Sequence, residues 1–138
     1  MYLVATDVIS EARKRNKANR GVLAFFAALA DNDTAIYVLA ETIGELRRGV
    51  ELIRHRNDLS QARELEAWLD AVCREFANCI LNFDVETAQV WGKLRAPNPE
   101  NPLDKQIAAT ALINDLTLVT RNIKHFLSSG VRCLNPLD

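Results

Sequence analysis

The sequence predicts an α/β fold: a mainly parallel sheet covered by helices on both faces. Three observations carry the expectation. Short apolar runs alternate with longer helical patterns along the chain. A chain of 138 residues with 49% hydrophobic and 25% charged side chains is the size and make-up of one globular domain able to bury a core without staples. The single proline-rich segment, residues 97–102, lies between two helical patterns and reads as a rigid loop, so residues 1–138 are expected to form one domain.

The elements follow in order. Strands are expected at Tyr2–Ala5, Ala35–Leu39, Cys79–Asn82, Leu116–Val119 and Val131–Leu134, each a short run rich in branched apolar residues. Val8–Lys14 reads as a short helix, and GVLAFFAALA (Gly21–Ala30) as a buried one. Glu41–Arg54 places Ile43, Leu46, Val50 and Ile53 at helical spacing. Asp58–Phe76 and Val85–Arg95 are amphipathic, each with a tryptophan (Trp68, Trp91) on the inward side, and Lys105–Ile113 is the strongest helical stretch.

Composition excludes several functions. A net charge of −1 gives no global attraction to nucleic acid, so any such contact must come from a local patch. Cys73, Cys79 and Cys133 are odd in number and lack metal-ligand spacing, which fits reduced thiols in a cytoplasm. The start MYLVATDV lacks the pattern of a signal peptide, and no apolar run reaches membrane-spanning length. A cytoplasmic protein with no membrane contact is expected.

Carboxylates collect where this topology would bring them together. Taken singly, each has a local explanation. Asp7 reads as the N-cap of a helix beginning near Val8. Glu45 reads as a solvated helix position paired with Arg48, although Glu41, one turn before it, makes two carboxylates on one side. Asp104 follows Asn101 as cap and Pro102 at the first helical position, from where it could reach back to the cap. Asn122, after Thr120, is another plausible cap.

In a parallel sheet, however, strand-to-helix junctions open on one edge. Ala5–Asp7, Glu45 and Thr120–Asn122 should then share a crevice, with Asp104 above it. Carboxylates so gathered repel one another unless a cation joins them, and oxygen-only ligands favour Mg²⁺ or Mn²⁺ over zinc. His55 and His125, both flanked by basic residues, read as surface side chains. A hard dication at such an edge suits phosphodiester hydrolysis. Arg13, Lys14, Arg15, Lys17 and Arg20 form a basic run after the first junction, and Arg47, Arg48, Arg54 and Arg56 a second patch near Glu45. Such rims would hold a nucleic acid backbone with salt-sensitive affinity.

Three segments in order, MYLVATDVISEARK, TIGELRRGV and LDKQIAATALINDLTLVTRNIKHF with VRCLNPLD after it, make the chain resemble the PIN-domain ribonuclease toxins of VapBC-type toxin–antitoxin pairs. The resemblance runs along nearly the whole length. It implies a three-layer α/β/α domain, a Mg²⁺ or Mn²⁺ site, and endoribonuclease activity on structured or single-stranded RNA. It also implies a cognate VapB-like antitoxin that inserts a C-terminal segment into the active groove. A homodimer and contact with promoter DNA only through the antitoxin are further expectations.

By the same resemblance, Glu45 and Asp104 match acidic metal-site residues and Asn122 the fourth site position. Thr120 matches the small hydroxyl residue before it, and Thr6 the middle of the first motif. Thr6, Thr120, Arg13 and Lys14 are the expected substrate contacts. The chain departs from the pattern at Ala5, where the family has its first aspartate, at Asp7, where it usually has Asn, and at His125, a position often acidic. Ala5 is expected to cripple catalysis. A deliberate Asp-to-Ala change that spares an expression host explains it, and a natural lineage in which Asp7 took over as metal ligand is the alternative. The rival function is a degenerate, non-catalytic PIN domain that binds antitoxin and assists repression. A flap-type DNA nuclease shares the chemistry, but the chain lacks the insertions that thread DNA. Apolar surface for partners is expected on Gly21–Ala30 and Leu52–Leu69.

Overall fold

The computed structural model describes residues Met1–Leu137. Five short strands, β1 (Tyr2–Val4), β2 (Ile36–Leu39), β3 (Ile80–Leu81), β4 (Thr117–Val119) and β5 (Cys133–Leu134), pair in the order β3-β2-β1-β4-β5. Every pairing is parallel. Each expected strand is present and shorter than its apolar run. The connecting helices are α1 (Thr6–Ala12), α2 (Arg20–Asp31), α3 (Ala40–His55), α4 (Leu59–Glu75), α5 (Val85–Arg95) and α6 (Pro102–Ile113). Short 3₁₀ turns at Arg15–Lys17 and Ile123–Ser129 complete the fold.

Neighbouring residues of each strand point to opposite faces, and both faces are dry. Val4, Val38 and Val119 join Val8, Val22, Leu46, Val50 and Leu69 in one core, under α1 to α4. Leu3, Leu39 and Leu118 join Ala108, Ala111 and Phe126 in the other, under α6 and the second 3₁₀ turn. Ala108, Ala109 and Ala111 of α6 are fully buried, small side chains that let the helix lie close to the sheet. The result is the expected three-layer arrangement.

Local chemistry sets the helix ends. Asn19 Oδ1 accepts the Gly21 amide at 2.9 Å and opens α2, while Asp58 and Asp84 open α4 and α5 through the Gln61 and Thr87 amides. Asn101 stands at the head of α6 in a left-handed conformation (φ 53°) without a side-chain cap bond, and Pro102 supplies the first turn. The helix therefore starts three residues before the expected Lys105. The buried Lys105 donates to the Glu100 carbonyl at 2.8 Å and ties the preceding loop to it.

Two expectations need correction. Asp7 is not an N-cap: α1 begins at Thr6 with Ala5 in the cap position, and Asp7 lies in the first turn. Gly21–Ala30 is not buried. Only Val22 and Leu29 of that stretch are, and Leu23 is 38% exposed. An apolar run with no polar face cannot show from sequence which side lacks a neighbour.

Candidate functional site

The strand order reverses direction at β1: β2 and β3 lie to one side, β4 and β5 to the other. At such a switch point the loops leaving the two central strands diverge and open a crevice beyond their carboxyl ends. Here that crevice is a pocket of about 210 Å³. Its floor is Ala5, Thr6 and Asp7 after β1, with Thr120 and Asn122 after β4. Glu45 enters from α3, Asp104 from the first turn of α6, and Leu103, Ile107 and Phe126 form an apolar wall.

Segments far apart in the chain thus bring Glu45 and Asp104 to one cavity. Ala5 is buried and extended (φ −79°, ψ 163°) at the end of β1, its amide bonded to the Val119 carbonyl at 3.0 Å. Where a longer side chain would enter the pocket, there is a methyl group.

The polar groups have distinct partners. Asp7 Oδ2 accepts the Thr120 hydroxyl at 3.2 Å and the Arg121 amide at 3.1 Å. Thr120 Oγ1 in turn accepts the Asn122 amide at 3.1 Å. Asp104 does not reach back to the helix start: its Oδ2 lies 2.9 Å from His125 Nδ1. His125 is thus on the surface, as expected, yet it also faces a site carboxylate, which its basic sequence neighbours gave no sign of. Its place at a family-variable site position was the only available hint. Glu45 is exposed and has no side-chain partner among the described residues, Arg48 included.

Other expected participants stand apart. Glu41 does not line the pocket although it lies one turn from Glu45. Its Oε2 is buried without a partner, and burial raises its carboxyl above the ordinary glutamate value. Arg13 lies over the Trp68 ring, 6.0 Å from its centroid, and Lys14 pairs with Glu11 at 2.9 Å. Neither lines the pocket. In the second basic patch Arg47 and Arg54 are committed to Glu51 and Glu66, so only Arg48 and Arg56 keep their charge free of a partner among the described residues.

A divalent cation needs several oxygen ligands converging on one point. Among the described residues, no group of three or more His, Cys, Asp and Glu side chains is gathered so as to hold a metal ion. With Ala5 in place, Asp7 bonded to the opposite loop and Asp104 bonded to His125, the side chains present do not fit such an ion.

A larger depression of about 800 Å³ lies between α2 and α4, away from this edge. Leu23, Phe26, Ala27, Trp68, Val72 and Phe76 give it an apolar lining. No helix of the described residues is long and apolar enough to cross a membrane.

A parallel three-layer domain with carboxylates at its switch point defines a class, the small α/β domains that present acidic side chains to a ligand at the strand ends. The PIN domain family matches residues 2–127 of the chain. The chain is 34% identical to the plasmid stability protein StbB of Pseudomonas syringae pv. tomato, over 100% of its own length and 99% of that protein's. It is 33% identical to the toxin FitB of Neisseria gonorrhoeae (99% and 98%) and 30% identical to a VapC ribonuclease of Sinorhizobium fredii (100% and 99%). The solved structure of FitAcB from Neisseria gonorrhoeae superposes with a TM-score of 0.86 at 32% identity, covering 99% of this chain and 98% of that one. The chain belongs to the PIN-domain family, among the VapC- and FitB-type toxins. PIN-domain nucleases generally use divalent metal ions.

Proposed function

We propose that this chain is the toxin of a type II toxin–antitoxin pair, built as a metal-dependent endoribonuclease and inactive in its Ala5 form. One observation carries the reading. Glu45 and Asp104, from separate helices, line a single pocket at the switch point, and the strand end between them carries Ala5. The set lacks the aspartate that the family resemblance puts at position 5, and the carboxylates present do not converge on one point among the described residues, so no catalytic step is assigned to the chain as it stands.

The remaining residues keep their roles as substrate contacts. Thr6 lines the pocket beside Asn122, which orients what enters it, while Thr120, buried with its hydroxyl bonded to Asp7, contributes from behind them. Arg13 and Lys14, at the end of α1, are assigned to the RNA backbone further out. Loops and single strands are the preferred RNA, because their bases can be splayed away from a helix. The C-terminal segment of the antitoxin is assigned to the acidic pocket, promoter DNA is bound through the antitoxin, and the exposed apolar surface, including the depression between α2 and α4, is shared between the antitoxin and a second copy of the chain. A chain in the solved structure of FitAB bound to a DNA fragment is 32% identical to this one, which supports the reading of a protein complex that meets DNA.

The experiment is restoration. Ala5→Asp should yield RNA cleavage that requires Mg²⁺ or Mn²⁺ and stops with EDTA, together with growth arrest on expression without antitoxin. A well-folded Ala5→Asp protein that cuts no RNA under any of these conditions contradicts the reading. It would favour the second one, a non-catalytic PIN domain that holds its antitoxin, for which Ala5 speaks, as does the lack of a converging carboxylate cluster among the described residues.

A further inference from the structure

Asp7 differs from the other carboxylates at the edge in holding three donors, at least one on each oxygen. Its Oδ1 accepts the Val8 amide at 2.9 Å, and its Oδ2 accepts the Arg121 amide at 3.1 Å and the Thr120 hydroxyl at 3.2 Å. A longer contact from the same hydroxyl, 3.5 Å, falls on Oδ1. A carboxylate offers about four acceptor positions, and three donors, two amides and one hydroxyl shared unevenly between the oxygens, occupy most of them. The donors come from both sides of the switch point. Val8 follows β1, whereas Thr120 and Arg121 follow β4, 113 and 114 residues away from Asp7 in sequence.

These contacts lie where the sheet ends. The β1–β4 ladder pairs Val4 with Val119, and one more bond joins the Ala5 amide to the Val119 carbonyl. Beyond it the strands part, and Asp7 bridges the gap. Thr120 is 2% exposed, so its hydroxyl must find a partner inside the protein, and Asp7 is that partner. The hydroxyl then receives the Asn122 amide, which carries the order on to the next pocket residue.

We propose, taking position 5 as the missing ligand of the site described above, that Asp7 is a clamp. It is a positioning residue that fastens the loop after β4 to the start of α1 and so sets Thr120 and Asn122. It does not stand in for the carboxylate absent at position 5. A cation drawn to Asp7 would compete with two amides and a hydroxyl for the same two oxygens, and each donor it displaced would be left unpaired. The acid at position 7 therefore repairs the edge mechanically, not chemically.

The test combines calorimetric titration with MnCl₂ and thermal melts on the full chain. The unmodified protein should show no saturable Mn²⁺ binding below about 1 mM, and Ala5→Asp should gain it. Adding Asp7→Asn to Ala5→Asp should leave the Mn²⁺ affinity within about threefold, while lowering Tm by about 5 °C. Thr120→Ser should keep the melting temperature and Thr120→Val lose it. Asp7→Asn and Thr120→Val together should cost less than the sum of the two. Saturable Mn²⁺ binding by the unmodified chain that Asp7→Asn abolishes would overturn the clamp, as would strictly additive losses. If Asp7→Asn does not fold, the unmodified titration and the Thr120 pair still decide. An Ala5→Asp protein that binds Mn²⁺ yet cuts no RNA would sink the ribonuclease reading and leave the clamp standing.

Discussion

Helix α3 contributes to two charged regions that are built in opposite ways. Toward its C-terminal half, Arg47 and Arg54 meet Glu51 one turn away and Glu66 on α4. Glu66 lies 2.7 Å from Arg47 and 2.9 Å from Arg54, so each acid is shared between two guanidinium groups. Hydrogen bonds from the arginines hold both carboxyls below the ordinary glutamate value. Toward its N-terminal half, Glu45 lines the pocket with Asp7 and Asp104, and among the described residues no lysine or arginine side chain pairs with any of the three. The first region is closed and electrically complete. The second is open: Asp7 is held by the neutral Thr120 hydroxyl and by backbone amides, and Asp104 meets His125.

The difference separates structural from functional charge. Partners at helical spacing neutralise one another and contribute modestly to stability. Acids brought together from distant segments without cations are costly to keep, and they persist where something outside the chain joins them.

Four perturbations probe the contrast, the strongest first. In an Ala5→Asp background, Glu45→Ala or Asp104→Ala should reduce RNA cleavage by about 100-fold or more, whereas Glu66→Ala should leave it nearly unchanged. Initial rates on one RNA substrate check this. Next, Leu118→Ala removes a fully buried side chain from beneath the pocket and should cost about 2–5 kcal/mol by urea unfolding, more than any substitution in the α3–α4 network.

A smaller and opposite effect is expected at Glu41. Its carboxyl is raised in the folded state by burial, so its contribution is fully present below the ordinary value of 4.5 and lost as pH rises through the folded one. At neutral pH it carries a charge the fold disfavours. Glu41→Gln should therefore raise Tm by about 1–3 °C at pH 7.5 and bring no gain at pH 4. The smallest effect concerns the closed region. Glu66→Gln should lower Tm slightly in dilute buffer and hardly at all in 1 M salt, where exposed pairs are screened. Because the folded Glu51 and Glu66 carboxyls are depressed, that contribution is present above about pH 4.5 and is lost as pH falls below it.

Much of the fold was legible because its causes are local. Branched apolar runs such as Tyr2–Val4 and Thr117–Val119 mark strands, and helical spacing marks α3. Strand ends were less legible, since pairing and not composition decides where a ladder stops. The surroundings of α2 were misread because an apolar helix looks alike whether it faces a core or a groove. At the site, the gathering of Ala5, Glu45, Asp104, Thr120 and Asn122 followed from parallel topology together with the family resemblance. What each side chain bonds to did not. Asp7 looks like a cap in its own segment, and only the loop 113 residues further on makes it a bridge. Asp104 likewise has a sufficient local role in α6, and its contact with His125 depends on how the second 3₁₀ turn lies over that helix.

The most direct test of the account is to locate the cation. Crystals of the Ala5→Asp protein grown with Mn²⁺, measured at the manganese absorption edge, should show an anomalous peak among the position 5 carboxylate, Glu45 and Asp104. No peak in that pocket, or one seated elsewhere with these acids turned to solvent, would contradict it.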